Sequence, residues 1–408
     1  MATAAPFRSG GRSRQSVTIS TKSVFRGTPA AGNADQGDAV HHQLAVDEAL
    51  AVQLDAGAFR VDGLDADTDQ NLLADTHRHV EAQGLGQVDG AGARRRTDLV
   101  EIVTDWRGLP DALKGAAVAI GAFAGVHRGH QAVIAQARAA AERLGAPLAV
   151  VSFDPHPRRW FQPEAAPFRL MTSAQMARAL GPLGVDRLYL LPFDADMAAM
   201  TDETFARQVL SDGLGIRHAA VGFDFTYGKG RTGSPESLRR HGEALGFGVT
   251  VVDRIDDPDG LKLSSSGVRE ALKAGDMTRA AAILGRPFAI EGEVVHGDKR
   301  GRAIGVPTAN VRMGDYMRPA YGIYATRTRL PDGRVIDGVA NLGVRPMFEI
   351  DQPLLEVWLF DFDGDLYGQT IETELVAYLR GEMRFDGLEA LKVQIDADAV
   401  AARAVLAS

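Results

Sequence analysis

Between about residues 118 and 284 short apolar runs alternate with segments of helical length, a pattern that few folds accommodate. The apolar runs fall at 118–123, 148–153, 187–193, 219–225 and 249–255 and are rich in Val, Leu and Phe. Between them the spacing predicts helices over 130–144, 174–180, 202–214 and 235–245. Breakers stand where such helices must end, at Gly145-Ala146-Pro147 and Gly181-Pro182. Proline cannot continue a helix, and glycine accepts the left-handed turn that closes one. A strand that is apolar throughout, rather than at every second position, is one covered on both faces. The pattern therefore predicts an α/β doubly wound parallel sheet of Rossmann-like type, with ligands outside the carboxyl ends of its strands.

Four loops at those ends carry chemistry. The first runs Gly121-Ala122-Phe123-Ala124-Gly125-Val126-His127-Arg128-Gly129-His130 into a helix. Free N–H groups and the positive end of the helix dipole attract an anion there. Gly121, Gly125 and Gly129 let the backbone approach it, beside Phe123, and His127 and His130, one turn apart, can both donate to it. The second loop is Phe153-Asp154-Pro155-His156-Pro157, where Pro155 and Pro157 predict a rigid loop around His156 rather than a helix start. The third, from Gly222 to Gly233, places Asp224, Gly228, Lys229 and Arg231 in a flexible basic loop suited to a triphosphate. The fourth, Ser264-Ser265-Ser266-Gly267-Val268-Arg269, opens a long helix to about Leu284 and offers hydroxyls and a guanidinium to a second anion. Each has a plainer reading, since Ser264 or Ser265 is a good N-cap and a proline-bracketed histidine can simply shape a turn. Their shared position at one sheet edge favours the chemical one.

Composition narrows the classes. A net charge of −8 argues against a general binder of nucleic acid or anionic membranes. No apolar run approaches the about 18 residues of a membrane span. The 408 residues include no cysteine, which excludes disulfides, zinc-thiolate sites and cysteine nucleophiles and suits a reducing cytoplasm. Residues 1–33 carry Arg8, Arg12, Arg14, Lys22 and Arg26 but no acid, a composition like that of a transit peptide. The stretch to Arg96 turns acidic, with Phe59 its one aromatic residue. Such a segment buries too little to offset its chain entropy, so residues 1–97 read as a disordered extension or as a start upstream of the biological one.

Past Arg286-Pro287 the helical period gives way to short strands and turns. The segment Gly292 to Asn310 holds Gly297, Gly301 and Gly305, which let a backbone wrap phosphates, and Arg302, which balances their charge. Its closing Pro307-Thr308-Ala309-Asn310 supplies side-chain oxygens, from Thr308 and Asn310, of the kind a hard Mg2+ ion accepts. No strand–helix unit surrounds it, so it is not a Walker-type loop. Further on, Glu356 stands inside the apolar run Leu354 to Phe360. An ionised carboxylate there is costly unless it is paired or used, or unless it points outward from a half-solvated antiparallel sheet.

The four loops, in this order and spacing, resemble the adenylyltransferase half of the bacterial bifunctional riboflavin kinase/FAD synthetases. The later segment resembles their kinase module. The resemblance covers about Asp98 to the end and implies an adenylyltransferase domain over 98–284 and a kinase domain over 285–408. The latter would be a small closed antiparallel β-barrel with a final helix near 387–406. It implies ATP and Mg2+ as cofactors, riboflavin and FMN as substrates, no nucleic-acid or membrane partner, and a cytoplasmic location; weak self-association is left open. By the same resemblance Glu356 is the base for riboflavin, and Thr308 and Asn310 hold Mg-ATP. Asn341 is a cofactor-binding residue and Arg380, Arg384 and Phe385 lie on a loop over the flavin, while His127, His130, Ser265 and Arg269 stabilise charge in adenylyl transfer. Two positions depart from the family pattern: Ala124 replaces an Asp, and Met347 replaces a Thr. A kinase-only or flavin-binding protein with a weakened first site, or another nucleotidyltransferase of the superfamily, are the alternatives.

Overall fold

The computed structural model describes residues 100–254, 263–297, 305–343 and 353–408. The segment 1–97, Gly301, Arg302 and Met347 lie outside the described residues. Strand β1 (Glu101–Val103) comes first, followed by β2 (Ala117–Ile120), all four of whose residues are buried. Next come helix α1 (Arg128–Leu144) and β3 (Leu148–Asp154). Helices α2 (Pro157–Phe161) and α3 (Ser173–Leu180) lead to β4 (Arg187–Pro192). After α4 (Ala195–Ala199), the short α5 (Asp202–Thr204) runs on as a π-helix over Phe205–Gly213. Strand β5 (His218–Gly222), α6 (Pro235–Leu245) and β6 (Gly248–Val252) complete a six-stranded sheet of order β1-β4-β3-β2-β5-β6. Every pairing in it is parallel, as the doubly apolar strands require. The chain leaves β2 to build β3 and β4 on one side and β5 and β6 on the other, so the loop after β2 sits at the switch point where such sheets bind ligands.

Two expectations need correction here, and one strand was not foreseen. The edge strand β1 pairs with β4 although only Val103 of its residues is buried, so it gives no apolar run to read. Helix α2 begins directly at Pro157, where a rigid loop was expected. His156 caps it, with its Nδ1 accepting the Arg158 N–H at 3.0 Å, and proline is at home in a first turn because the N–H it lacks has no partner there. The long helix after Ser264 is two, α7 (Ser265–Ala274) and α8 (Met277–Leu284). Gly275 closes the first at φ 73° and Asp276 caps the second, accepting from Arg279 N at 2.9 Å.

The remaining chain forms a closed antiparallel barrel, β10-β11-β8-β7-β12-β9. Its strands are β7 (Phe288–Val295), β8 (Ala309–Arg312), β9 (Gly322–Arg329), β10 (Val335–Gly343), β11 (Leu354–Leu359) and β12 (Thr370–Arg380). Helix α9 (Leu388–Leu406) follows. The α7–α8 pair shares one apolar core with the barrel: Leu272, Ile283 and Leu284 join Phe288, Ile290 and Met313. A polar seam adds to it. Tyr316 donates to Gln175 Oε1 at 2.5 Å, Thr172 donates to Glu291 Oε1 at 2.7 Å, and Arg178 bridges Glu291 and Glu372. Gln175 is buried, which screens the Tyr316 bond from water, while the Arg178 bridge is exposed; sheet and barrel form one unit.

Candidate functional site

The loop after β2 is held in an unusual shape. Phe123, Gly125 and Val126 have φ of 45°, 81° and 44°, values that cost a residue with a side chain about 1–3 kcal/mol, most for a β-branched one. Outside contacts hold it there. Ser152 Oγ donates to the Ala122 carbonyl at 3.0 Å, and Ser265 Oγ, on the first turn of α7, donates to the Ala124 carbonyl at 3.0 Å. The methyl of Ala124 packs against the core shared with the barrel, so this position contributes its backbone to the loop. Gly129 has no room for more: a Cβ there would lie 2.9 Å from the Leu263 carbonyl and 3.2 Å from the His127 ring.

His127 caps α1, its Nδ1 accepting the His130 N–H at 3.3 Å. That acceptor role places the proton of the neutral ring on Nε2, free to donate to a ligand. The two rings stack at 3.6 Å, and Phe123 lies 5.0 Å from His130. Burial, then Arg269 and Arg286, lower the His127 pKa to about 4. Burial, then His127 and Arg269, hold His130 well below the ordinary value. Burial, then Arg269 and Arg158, bring His156 to about 4 as well. Arg269, on α7, donates from Nε to the Phe168 carbonyl at 3.0 Å and stacks over that ring with Arg158 and Arg159. Its own pKa falls to about 10, chiefly through burial. Residues 121–130, His156, Ser265 and Arg269 are thus one electropositive cluster of neutral imidazoles and guanidinium, between the N-termini of two helices, with no carboxylate among its members. Such a cluster calls for an anion.

The other predicted residues divide. Ser264 caps α7, accepting from Gly267 N at 3.1 Å, while Ser266 is exposed beside it. Asp224, Lys229 and Arg231 are exposed. Their loop is stapled to α5: Lys229 N donates to Met200 O at 2.6 Å and Thr232 to Asp202 at 3.4 Å. A Cβ on Gly228 would strike the Asp202 backbone at 2.5 Å. Pro155 precedes the capping His156 and Pro157 opens α2. The sequence reading missed an aromatic group nearby, Trp160 and Phe161 on α2 around Phe193 at 6.4 and 5.8 Å, both substantially exposed. Two exposed aromatics on one five-residue helix were the available signal.

On the barrel, β-pairing sets Asn310, Glu356 and Asn341 side by side on adjacent strands. Strand alternation turns Leu355 and Val357 into the core and Glu356 to the other face. Asn310 is buried, and among the described residues its Oδ1 has no hydrogen-bond partner; a buried amide oxygen left open suits a cation or donor ligand. Gly297 lies against that amide, where a Cβ would come within 2.6 Å of Nδ2. A cavity of about 520 Å³ opens where Pro307 and Thr308 meet the turn Phe362 to Tyr367. Gly305 turns at φ 81° just before it. Arg380, expected on a loop over the flavin, is anchored to α9. Its fork grips the buried Asp398 of α9 at 2.8 and 2.6 Å, with Phe385 6.0 Å from the guanidinium. Glu382, unremarked in the sequence, sets its carboxylate against Gly343 near Asn341. Arg384 is exposed. No helix among the described residues is long and apolar enough to cross a membrane.

An anion cluster at a sheet switch point, joined to a barrel that carries an amide–carboxylate trio on one face and, apart from it, a cavity at Thr308, is the arrangement of a nucleotide-dependent transferase with two sites. Family comparison agrees. Residues 109–267 match the FAD synthetase family and residues 284–406 the riboflavin kinase family. The bifunctional riboflavin kinase/FMN adenylyltransferase of Pseudomonas fluorescens is 43% identical over 309 residues, 76% of this chain and 98% of that one. Its Haemophilus influenzae counterpart is 39% identical over 73% of this chain and 97% of the relative. A crystal structure described as a macrolide-efflux protein from Streptococcus pneumoniae superposes with a TM-score of 0.66 at 28% identity, over 75% of this chain and 99% of that one. The chain belongs to the bifunctional riboflavin kinase/FMN adenylyltransferase family.

Proposed function

We infer that the protein phosphorylates riboflavin on the barrel and adenylylates the resulting FMN at the sheet. The division at about 284/285, between an adenylyltransferase domain over 98–284 and a kinase domain over 285–408, belongs to the same reading. The observation that carries it is the coexistence of two sites of different chemistry in one unit: the buried histidine–arginine cluster and the Asn310–Glu356–Asn341 trio.

In the first reaction the ribityl 5'-hydroxyl of riboflavin attacks the γ-phosphorus of ATP, its proton passes to Glu356, and ADP leaves. Glu356 suits the role because strand pairing fixes it between two amides that orient a hydroxyl. Thr308 and Asn310 would hold Mg2+, whose charge neutralises the phosphates during transfer; the open Asn310 oxygen fits that ion. In the second reaction an oxygen of the FMN phosphate attacks the α-phosphorus of ATP and pyrophosphate leaves. His127 and His130 donate to the α-phosphate as neutral imidazoles, and Arg269 with the two helix N-termini offsets the charge that builds up. Lys229 and Arg231, exposed cations on the glycine-rich loop after β5, are the candidate partners of the departing pyrophosphate, and Trp160 and Phe161 offer faces to the flavin ring. The reaction needs no covalent intermediate. A cytoplasmic location follows from substrates of this kind.

Incubation with riboflavin, ATP and Mg2+ tests the reading, with FMN and then FAD expected. Formation of FMN alone would leave the kinase and remove the second activity. Glu356→Gln is expected to abolish FMN formation while FMN-to-FAD conversion stays within about twofold, since proton transfer matters to one site only. Loss of both activities in a folded variant would refute two separate sites.

A further inference from the structure

The strained loop has a further support, and it comes from the other module. Arg286 Nη2 donates to the Gly125 carbonyl at 2.7 Å, while Nη1 lies 3.5 Å from the Val126 carbonyl and 3.4 Å from that of Leu284. Gln131 Nε2 ties the same two points, Val126 O at 3.0 Å and Leu284 O at 3.2 Å. Arg286 lies within the residues that match the riboflavin kinase family and beyond those that match FAD synthetase.

We propose that Arg286 is a positioning residue for adenylyl transfer, its guanidinium fork holding the loop Phe123 to Val126 in the shape that receives the ATP phosphates. The proposal rests on the histidine loop being the adenylyl-transfer site. Left-handed conformations at Phe123 and Val126 persist only while surrounding contacts over-determine them. In a trans peptide the N–H of the next residue points opposite the carbonyl. Drawing the Val126 carbonyl toward Arg286 and Gln131 therefore turns the His127 N–H, at the start of α1, the other way. Drawing the Ala124 carbonyl toward Ser265 does the same for the Gly125 N–H. A lysine could keep the charge but not span two carbonyls in a fixed fork.

The test uses the full chain with Arg286→Gln and Arg286→Lys, assaying FMN formation and FMN-to-FAD conversion separately. For the glutamine variant FAD formation is expected to fall about 100-fold, the scale of a small misplacement at a reacting centre, with FMN formation within about twofold. The lysine variant is expected to lose about tenfold. The pH profile separates positioning from bulk structure. The charged and titratable groups acting on His127 are His130, Arg269 and Arg286. Removing the Arg286 charge raises the pH at which His127 protonates, so any acid limb of FAD formation moves upward in Arg286→Gln and stays in place in Arg286→Lys. If His127→Asn keeps full FAD formation, the reading of the loop as the site is wrong. If that variant is inactive while both Arg286 variants stay within about twofold, the inference is overturned. Loss of both activities in both variants would overturn it too, by making Arg286 a general structural residue.

Discussion

The histidines of the anion cluster make acid stability measurable. His127 titrates near 4 in the folded protein against 6.5 in an exposed chain. Because the folded value is the lower one, the unfolded chain takes up a proton that the native state refuses. Stability is complete above pH 6.5 and is lost as the pH falls toward 4. At pH 5 this difference amounts to about 2 kcal/mol for His127. His156, lowered to about 4 from the same 6.5, adds a similar amount. The perturbation that isolates one contribution is His127→Asn, because asparagine keeps a side-chain oxygen to cap the His130 N–H and carries no proton. Urea unfolding at pH 7.5 and pH 5.0, followed by fluorescence, should give wild-type protein an acid penalty larger than that of His127→Asn by about 2 kcal/mol. Equal penalties in the two proteins would mean that His127 is not held neutral by its surroundings, and the account of the cluster would fail with it.

Two other substitutions test separate parts of the structure. Gly129→Ala puts a methyl 2.9 Å from the Leu263 carbonyl and 3.2 Å from the His127 ring, so FAD formation should drop about tenfold or more while FMN formation is kept; separate assays of the two steps decide it. Asp398→Ala leaves the guanidinium of Arg380, one-fifth exposed, without its partner. Breaking such a pair costs about 3–5 kcal/mol when fully buried and less with this exposure. A lowered melting temperature and weaker riboflavin binding, with FMN adenylylation retained, are the expected readings, and an unchanged melting temperature would show the pair to be idle.

What the sequence made legible follows how local each signal is. The buried strands β2 to β5 announce themselves because a strand covered on both faces must be apolar along its length, and the half-buried edge strand β6 keeps enough Val to read the same way. The histidine loop is legible for a similar reason, with glycines, imidazoles and a helix start contiguous in the chain. Strand β1 escaped because two of its three residues face solvent. The break between α7 and α8 was written in Gly275-Asp276, a closing glycine followed by a capping aspartate, but apolar spacing ran across it unbroken. Arg286 could not have been found in this way, since the carbonyl it holds most closely lies 161 residues earlier in the chain. The pairing of Arg380 was hidden for the same reason: its partner Asp398 stands on α9, 18 residues further along the chain.

The α7–α8 pair has a practical meaning for anyone who wishes to cut or shuffle this chain. The sequence reading assigns it to the adenylyltransferase half, although the FAD synthetase match ends at residue 267, and its inner face, including Leu272, Ile283 and Leu284, is plated onto Phe288, Ile290 and Met313 of the barrel. A fragment ending at residue 284 would carry this hairpin away bare, with an apolar flank open to self-adhesion. It would uncover the matching end of the barrel as well. A cut placed before Leu263 keeps the hairpin with the barrel and severs the chain where fewer apolar side chains interlock. The frontier at which genes would be spliced and the frontier along which the folded molecule could be parted are therefore different places.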